Sequence, residues 1–196
     1  MFINGFELPE SNNGIVYFPG SPRQYRADCQ AGIFKIGETD MLGNSLKMEV
    51  LGCYPFKKKI FNYPYQPWLE VFFIDKDNAF SNILFKTESI NNFIELMRKL
   101  TLRSQAISTQ IVNAKTAKRQ SDRGTYYAVE FSASDNKPER IKQLIEFTKS
   151  QGHQLYSSRF ADDISEVQLV ELEQLPPANN QKKLISNSRF AHFFRS

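Results

Sequence analysis

Residues 46–74 have the sequence LKMEVLGCYPFKKKIFNYPYQPWLEVFFI, and the apolar pattern within them decides the predicted fold. Leu46, Met48 and Val50 alternate with charged residues, which is the two-residue period of a half-buried strand. Gly52 then interrupts the run, as glycine does at a bulge or a sharp bend. The pattern therefore predicts a long first strand that bends near its glycine.

A second and a third strand follow directly along the chain. Runs rich in aromatic and branched residues predict strands at 68–74 and 80–86, joined by a polar turn at 75–78. Alternation divides the side chains of the second strand between two faces: Leu69, Val71 and Phe73 on one, and Trp68, Glu70 and Phe72 on the other. The first of these faces is assigned to the core.

The remaining elements are a helix, a hairpin and a second helix. Helical spacing of apolar residues predicts the first helix at 90–100. Two strands at 110–114 and 125–131 flank a basic loop, KTAKRQSDRG, at 115–124. Pro138 begins the second helix and Gly152 is predicted to end it, so that residues 138–152 form a helix added to the strands.

The chain has 196 residues, which is enough for one core with appendages. Residues 1–32 contain several Gly, Pro, Asn and Ser residues and are predicted to form an irregular N-terminal arm. Residues 33–152 form the domain. Residues 153–196 are predicted to be an extended or partly disordered tail.

This order of three strands, a helix and a hairpin resembles the OB-fold, a small barrel on which many single-stranded-DNA-binding proteins are built. The resemblance covers residues 33–132 and lies in topology and loop character; residues 111–131, IVNAKTAKRQSDRGTYYAVEF, are similar to the last hairpin of such proteins. It implies a mainly β protein with two helices, a five-stranded OB-like barrel with an added C-terminal helix and an extended tail. Many bacterial single-strand-binding proteins end in a short acidic tail with a terminal Phe, whereas here the acidic residues lie inside the chain and the end reads HFFRS.

Composition limits the classes of function. The formal net charge is +4, which is compatible with a polyanionic partner. Residues 1–14 lack a basic segment followed by an apolar run, and no stretch approaches the roughly 20 apolar residues of a membrane helix. We therefore expect a cytoplasmic protein with no membrane partner.

The sequence shows no motif of catalysis or metal binding. Few metal-ligating side chains other than carboxylates are present: His153, His192, Cys29 and Cys53. Asp75 and Asp77 are either a cation site or, as their Lys and Asn neighbours favour, a solvated hairpin tip. We expect no cofactor, no metal and no enzymatic activity; an enzyme with an unrecognised site is the least favoured of three hypotheses.

The favoured hypothesis is sequence-tolerant binding of single-stranded nucleic acid, most simply DNA, because cations and flat rings are interleaved. Residues 54–65 place three lysines among five aromatic rings, and the loop at 115–124 is strongly basic. The predicted site comprises Tyr54, Phe56, Lys57, Lys58, Lys59, Tyr63, Trp68, Phe72, Lys86, Lys115, Lys118, Arg119, Arg123 and Tyr126.

Several alternatives stay open from the sequence. The loop cations are also typical of an ordinary solvated hairpin tip, and the rings of 54–65 could plug the end of the barrel. Trp68 and Phe72 are either exposed to ligand or covered by the N-terminal arm or the second helix. A homo-oligomer is compatible with the fold. The competing function is a protein-interaction module that recruits a partner through residues 160–196, with the barrel as a scaffold.

Overall fold

The computed structural model describes residues 2–3, 6–7, 14–16, 22–60, 62–122 and 124–160. Its elements in chain order are β1 (Phe2–Ile3), β2 (Phe6–Glu7), β3 (Arg23–Asp28), β4 (Ile33–Ile36), β5 (Asp40–Gly43), β6 (Ser45–Lys58), β7 (Gln66–Ile74), β8 (Phe80–Lys86), α1 (Glu88–Leu102), a 3-10 turn (Ile107–Thr109), β9 (Gln110–Ser121), β10 (Gly124–Asp135) and α2 (Pro138–Phe160).

One large sheet contains most of these strands. Its order is β10-β9-β6-β7-β8-β3-β4-β5, and it curls into a half-barrel. All neighbours are antiparallel except β3 and β8, which are parallel. The prediction of a mainly β protein with two helices is confirmed, but the sheet has eight strands in the described part of the chain where five were predicted. β1 and β2 form a separate two-stranded pair.

The predicted bend in the first strand is confirmed in β6. The register between β6 and β7 shifts between Val50 and Gly52, which marks a bulge. β6 pairs with β9 from Ser45 to Glu49 and with β7 from Glu49 to Lys58, so the change of partner falls next to the bulge. Because a bulge increases local bend and twist, one continuous strand serves two parts of a curling sheet.

The N-terminal arm predicted at 1–32 is wrong in part, because β3 is a strand of the large sheet. β3 pairs with β8 on one side and with β4 on the other. The burial pattern explains why the sequence pointed elsewhere: within RQYRAD only Tyr25 is buried, so apolar alternation is missing. Backbone pairing with two neighbours holds the strand in place instead.

The basic loop predicted at 115–124 is wrong as well. β9 continues to Ser121 and β10 begins at Gly124, with an unbroken register from Gln110 to the tip of the hairpin. Polar residues do not end a strand that is exposed on one side, because the ladder is made by the backbone. Lys115, Lys118 and Arg119 therefore project from a strand.

The second helix is longer than predicted. α2 continues through Gly152 to Phe160. The predicted tail at 153–196 is therefore helical as far as residue 160, and its residues 161–196 lie outside the described residues. The partner-binding segment proposed for 160–196 falls almost entirely in that part.

Two cores lie on opposite faces of the curled sheet. α1 packs against β8 and β10 on the inner face, where Phe93 meets Phe85 and Phe131 at centroid distances of 6.4 and 5.1 Å. α2 covers part of the outer face with Leu144 and Phe147. The outer core comprises Ile15, Leu51, Phe72, Ile74, Phe80, Leu144 and Phe147. The expectation that Phe72 is covered, rather than exposed, is the correct one.

The free edge of β10 is protected from further pairing. The Val129 N–H donates to the Ser89 hydroxyl at 3.0 Å, and the Asn92 amide donates to the Val129 carbonyl at 2.9 Å. The Tyr127 N–H donates to the Cys29 carbonyl at 2.8 Å. α1 and the turn after β3 thus occupy the edge groups that would otherwise bind another strand.

The side chain of Asp75 connects β3 to the hairpin of β7 and β8 through hydrogen bonds. This side chain is fully buried and accepts hydrogen bonds from Arg23 at 3.0 Å, Tyr25 at 2.9 Å and Ser81 at 2.9 Å. The backbone N–H groups of Asp77 and Ala79 donate to its other oxygen. A carboxylate with this many donors is a structural centre, so the expectation of a solvated hairpin tip is wrong for Asp75, whereas the side chain of Asp77 is 48% exposed.

Replacing Asp75 by Asn is expected to lower the free energy of unfolding by about 3 kcal/mol, because the amide cannot accept from all five donors and their burial leaves some unsatisfied. Asp77→Asn is the matched control. The side chain of Asp77 is 48% exposed, so this variant should lose less than about 1 kcal/mol. Urea unfolding followed by far-UV circular dichroism compares the two; equal losses would contradict the assignment.

Candidate functional site

A groove opens between β3 and β8, beside the loop that joins β6 to β7. Its volume is about 560 Å³. β3 and β8 pair over only three positions, from Arg23 opposite Ser81 to Tyr25 opposite Ile83. Beyond Tyr25 this pairing ends, and the groove is lined by residues from both strands.

The principal lining side chains share the outer face of the sheet. Strand register places Gln24 opposite Asn82, and Trp68 opposite Lys86. Because alternate residues point to the same side, Arg26 and Leu84 belong to this face as well. Tyr63 and Ile60 add a wall from the loop between β6 and β7.

Three side chains at this loop form a cation–aromatic cluster. Trp68 is buried at 4% exposure, and its indole N–H donates to the Lys58 carbonyl at 3.0 Å. The ring of Tyr63 packs edge-on against Trp68 at 5.7 Å. The Lys86 ammonium lies 3.4 Å from the centroid of the Tyr63 ring, which is a cation–π contact. Tyr63 itself is 41% exposed, so this cluster reaches from the buried lining to the surface.

Asn82 brings a buried polar group to the lining of the groove. The residue is 3% exposed, and its Nδ2 donates to the Glu70 carboxylate at 2.5 Å. Within the described part of the chain, its Oδ1 has no hydrogen-bond partner. Buried acceptors of this kind are uncommon in folded proteins.

The charged residues around the groove differ in how strongly they are held. The Arg26 guanidinium lies 3.5 Å from Glu38, whose side chain is 80% exposed, so this ion pair is weak. Lys58 and Lys59 are exposed at the end of β6.

Cys29 also lines the groove. Burial raises the pKa of its thiol, and the nearby Lys86 lowers that pKa by a smaller amount, so the thiol stays protonated at neutral pH.

The structure brings together only part of the predicted site. Tyr63, Trp68 and Lys86 line the groove, while Tyr54 and Phe56 stack on each other at 6.0 Å along β6. Lys57, Lys58 and Lys59 end β6 and begin the adjacent loop, so the predicted cluster at 54–65 borders the groove. Phe72 is buried under α2 and takes no part. Of the two alternatives left open for Trp68 and Phe72, exposure or burial, the structure shows burial for both.

The cations of the hairpin lie elsewhere. Lys115 and Lys118 are exposed on β9, and Arg123 lies outside the described residues. Tyr126, 36% exposed, donates to Glu88 at 2.8 Å. The described residues that line the groove do not include Lys115, Lys118 or Tyr126.

Arg119 is held by acidic residues that the sequence did not point to. Its guanidinium binds Glu88 and Glu130, each at 2.7 Å. The hydrogen bond from Arg119 lowers the pKa of Glu88, and the two carboxylates raise the pKa of Arg119. Arg119 is therefore committed to the protein itself.

Sequence reasoning missed Arg26, Gln24 and Asn82. Arg26 and Gln24 carry no signal, since their strand lacks apolar alternation. Asn82 could have been found, because it shares the face of Lys86 on the correctly predicted third strand.

The chain matches no family model, no curated protein and no solved structure. The case for a function therefore rests on the geometry of the groove. In the part of the chain that the structure describes, no three His, Cys, Asp or Glu side chains are placed to hold a metal ion. No described helix is long and apolar enough to cross a membrane.

Thr87 connects the groove to α1 in a strained conformation. It follows Lys86 and has φ 49° and ψ −126°, a region that β-branched residues rarely adopt. Its side chain makes no capping hydrogen bond to the helix. The strained residue therefore lies between Lys86, which lines the groove, and Glu88, which begins α1.

Thr87→Gly is expected to raise the free energy of unfolding by about 1 kcal/mol, because glycine adopts this conformation without steric cost. Thr101→Gly, in the last turn of α1, is the control, and its free energy of unfolding should fall by up to about 0.5 kcal/mol. Thermal and urea unfolding measure both. A loss at Thr87 as large as at Thr101 would show that the backbone there is unstrained.

Proposed function

We propose that this protein binds single-stranded nucleic acid, DNA in the simplest case, along the outer face of β7 and β8. The observation that carries the proposal is the Lys86–Tyr63–Trp68 cluster at the groove. A sequence-tolerant site for single strands needs cations that follow the phosphates and flat rings on which bases stack. The groove presents a cation, Lys86, in contact with the ring of Tyr63, which in turn packs against Trp68.

The architecture supports the proposal. The order β6, β7, β8, α1, β9, β10 follows the pattern of three strands, a helix and a hairpin from which the OB-fold resemblance was drawn. OB-folds bind oligonucleotides on the face of their second and third strands and on the loop between the first and second. In this chain the corresponding elements are β7, β8 and the loop from residue 59 to residue 65, which border the groove.

The charges support it as well. Lys58 and Lys59 are exposed beside Trp68 and Tyr63, and Lys86 and Arg26 line the groove. The carboxylate on this face, Glu70, is buried and accepts from Asn82, which keeps it away from an incoming phosphate. The surface offered to a polyanion is therefore positive.

Exposed rings favour single strands over duplex. Tyr65 is 72% exposed and Tyr63 is 41% exposed, both in the loop between β6 and β7. Bases of a duplex are stacked on one another, whereas unpaired bases can stack on side-chain rings. The loop is thus a platform that a single strand can use and a duplex cannot.

The first test replaces Lys58 and Lys59 together by Ala. Binding of a labelled oligothymidylate, measured by fluorescence anisotropy at several salt concentrations, should weaken, and the slope of log K against log salt should fall by about 1.4, since each phosphate contact on a single strand contributes about 0.7. The double variant Lys99→Ala and Lys137→Ala removes the same charge from the C-terminal part of α1 and the start of α2. Equal effects in both variants would contradict a local site.

The second test replaces Tyr63 by Leu. Loss of the stacking ring and of the Lys86 contact should weaken binding by about 1–3 kcal/mol. Tyr126→Leu is the matched control, because this tyrosine is similarly exposed but lies outside the groove. Quenching of the fluorescence of Trp68, the chain's one tryptophan, reports occupancy of the groove in each variant. An oligonucleotide that binds without changing this fluorescence would place the interface elsewhere.

A further inference from the structure

We infer that the groove is a subsite for one nucleobase, and that Asn82 Oδ1 accepts a hydrogen bond from the Watson–Crick edge of that base. This inference rests on the proposed function and specifies how the strand is held. It predicts that a base in the groove is recognised by a hydrogen bond and not by stacking alone.

The orientation of the Asn82 amide follows from its neighbour. Nδ2 lies 2.5 Å from the Glu70 carboxylate, and a carboxylate requires a donor at this distance. Oδ1 is therefore the atom left over, and it can only accept. A flip of the amide would place Oδ1 against the Glu70 carboxylate, where two acceptors would repel each other.

The missing partner of Oδ1 points to a ligand. Asn82 is buried, and no donor in the described part of the chain reaches this oxygen. A buried acceptor without a donor costs on the order of 1–3 kcal/mol, so a donor supplied by a ligand would stabilise the complex at this atom. Asn82 is among the residues that line the groove, and a small movement of its side chain would bring the buried Oδ1 to a base bound there.

The rest of the lining suits a base. Trp68, Tyr63 and Leu84 offer apolar and aromatic surface for a flat ring. Lys86 and Arg26 supply cations for the flanking phosphates. A polar acceptor among apolar walls is the usual arrangement of a site that fixes the orientation of a small ring.

Thymine allows a direct test, because its Watson–Crick edge has a single donor, the N3–H. An oligothymidylate in which every base is methylated at N3 keeps its phosphates and stacking surfaces but loses that donor. We expect wild-type protein to bind the methylated strand about tenfold more weakly than the unmodified strand, by anisotropy at fixed salt. An oligodeoxyuridylate, which lacks the C5 methyl but keeps N3–H, is the control and should bind within about threefold of oligothymidylate.

A protein variant separates loss of the hydrogen bond from steric effects of the methyl group. Asn82→Leu removes the acceptor, and in this variant the penalty for N3 methylation should fall to about twofold or less, which makes the two changes non-additive. Circular dichroism confirms that the variant is folded. Should it fail to fold, equal affinity of wild-type protein for the methylated and unmodified strands would still overturn the subsite.

The outcomes distinguish the inference from the function on which it rests. Salt-sensitive binding with equal affinity for methylated and unmodified strands would overturn the base subsite and leave single-strand binding intact. An unchanged methylation penalty in Asn82→Leu would overturn the role of Asn82. Absence of binding to any strand at low salt would overturn the proposed function itself.

Discussion

The buried carboxylate of Asp75 is the interaction on which the rest of this structure depends. It joins β3 to the hairpin of β7 and β8 through Arg23, Tyr25 and Ser81. β3 buries little apolar surface of its own, so its position relies on these directed contacts and on its backbone ladders. Since β3 forms one wall of the groove and Tyr25 both lines the groove and donates to Asp75, a buried carboxylate in a hairpin turn helps to determine the geometry of the groove. Removing it would leave donors unsatisfied in a region where water cannot replace the lost partner.

A second constraint determines how far the sheet can close. The bulge in β6 lets a single strand pair with β9 and then with β7, and the sheet curls as a result. α1 fills the inner face and covers the edge of β10 through Ser89 and Asn92. The inner face therefore carries the core that α1 packs against, whereas the groove opens on the outer face of β7 and β8. α2 covers one part of that face, and the groove lies in the part where β3 and β8 separate.

The basic residues of the β9–β10 hairpin and those of the groove look alike in the sequence but differ in their ion pairs. Arg119 is neutralised by Glu88 and Glu130, so it serves the hairpin and the start of α1. Lys86 instead lies over an exposed tyrosine at the groove. A cation that is already paired gains little from a phosphate, because it must first give up its own carboxylate. The ion pairs of the fold, and not the number of basic residues, thus decide which surface suits a polyanion.

The sequence by itself determined the elements with strong apolar periodicity: the bent β6, β7, β8 and the helix that follows them, together with the assignment to a mainly β class. It also placed Tyr63, Trp68 and Lys86 among the candidate residues. Only the tertiary structure decided the place of β3, the length of the β9–β10 hairpin, the burial of Trp68 and the pairing of Arg119. The physical reason is the same in each case. Periodicity records which side of an element faces a core, whereas a strand held by backbone pairing, a buried ring and an ion pair across the sheet depend on neighbours distant in the chain, which no local pattern encodes.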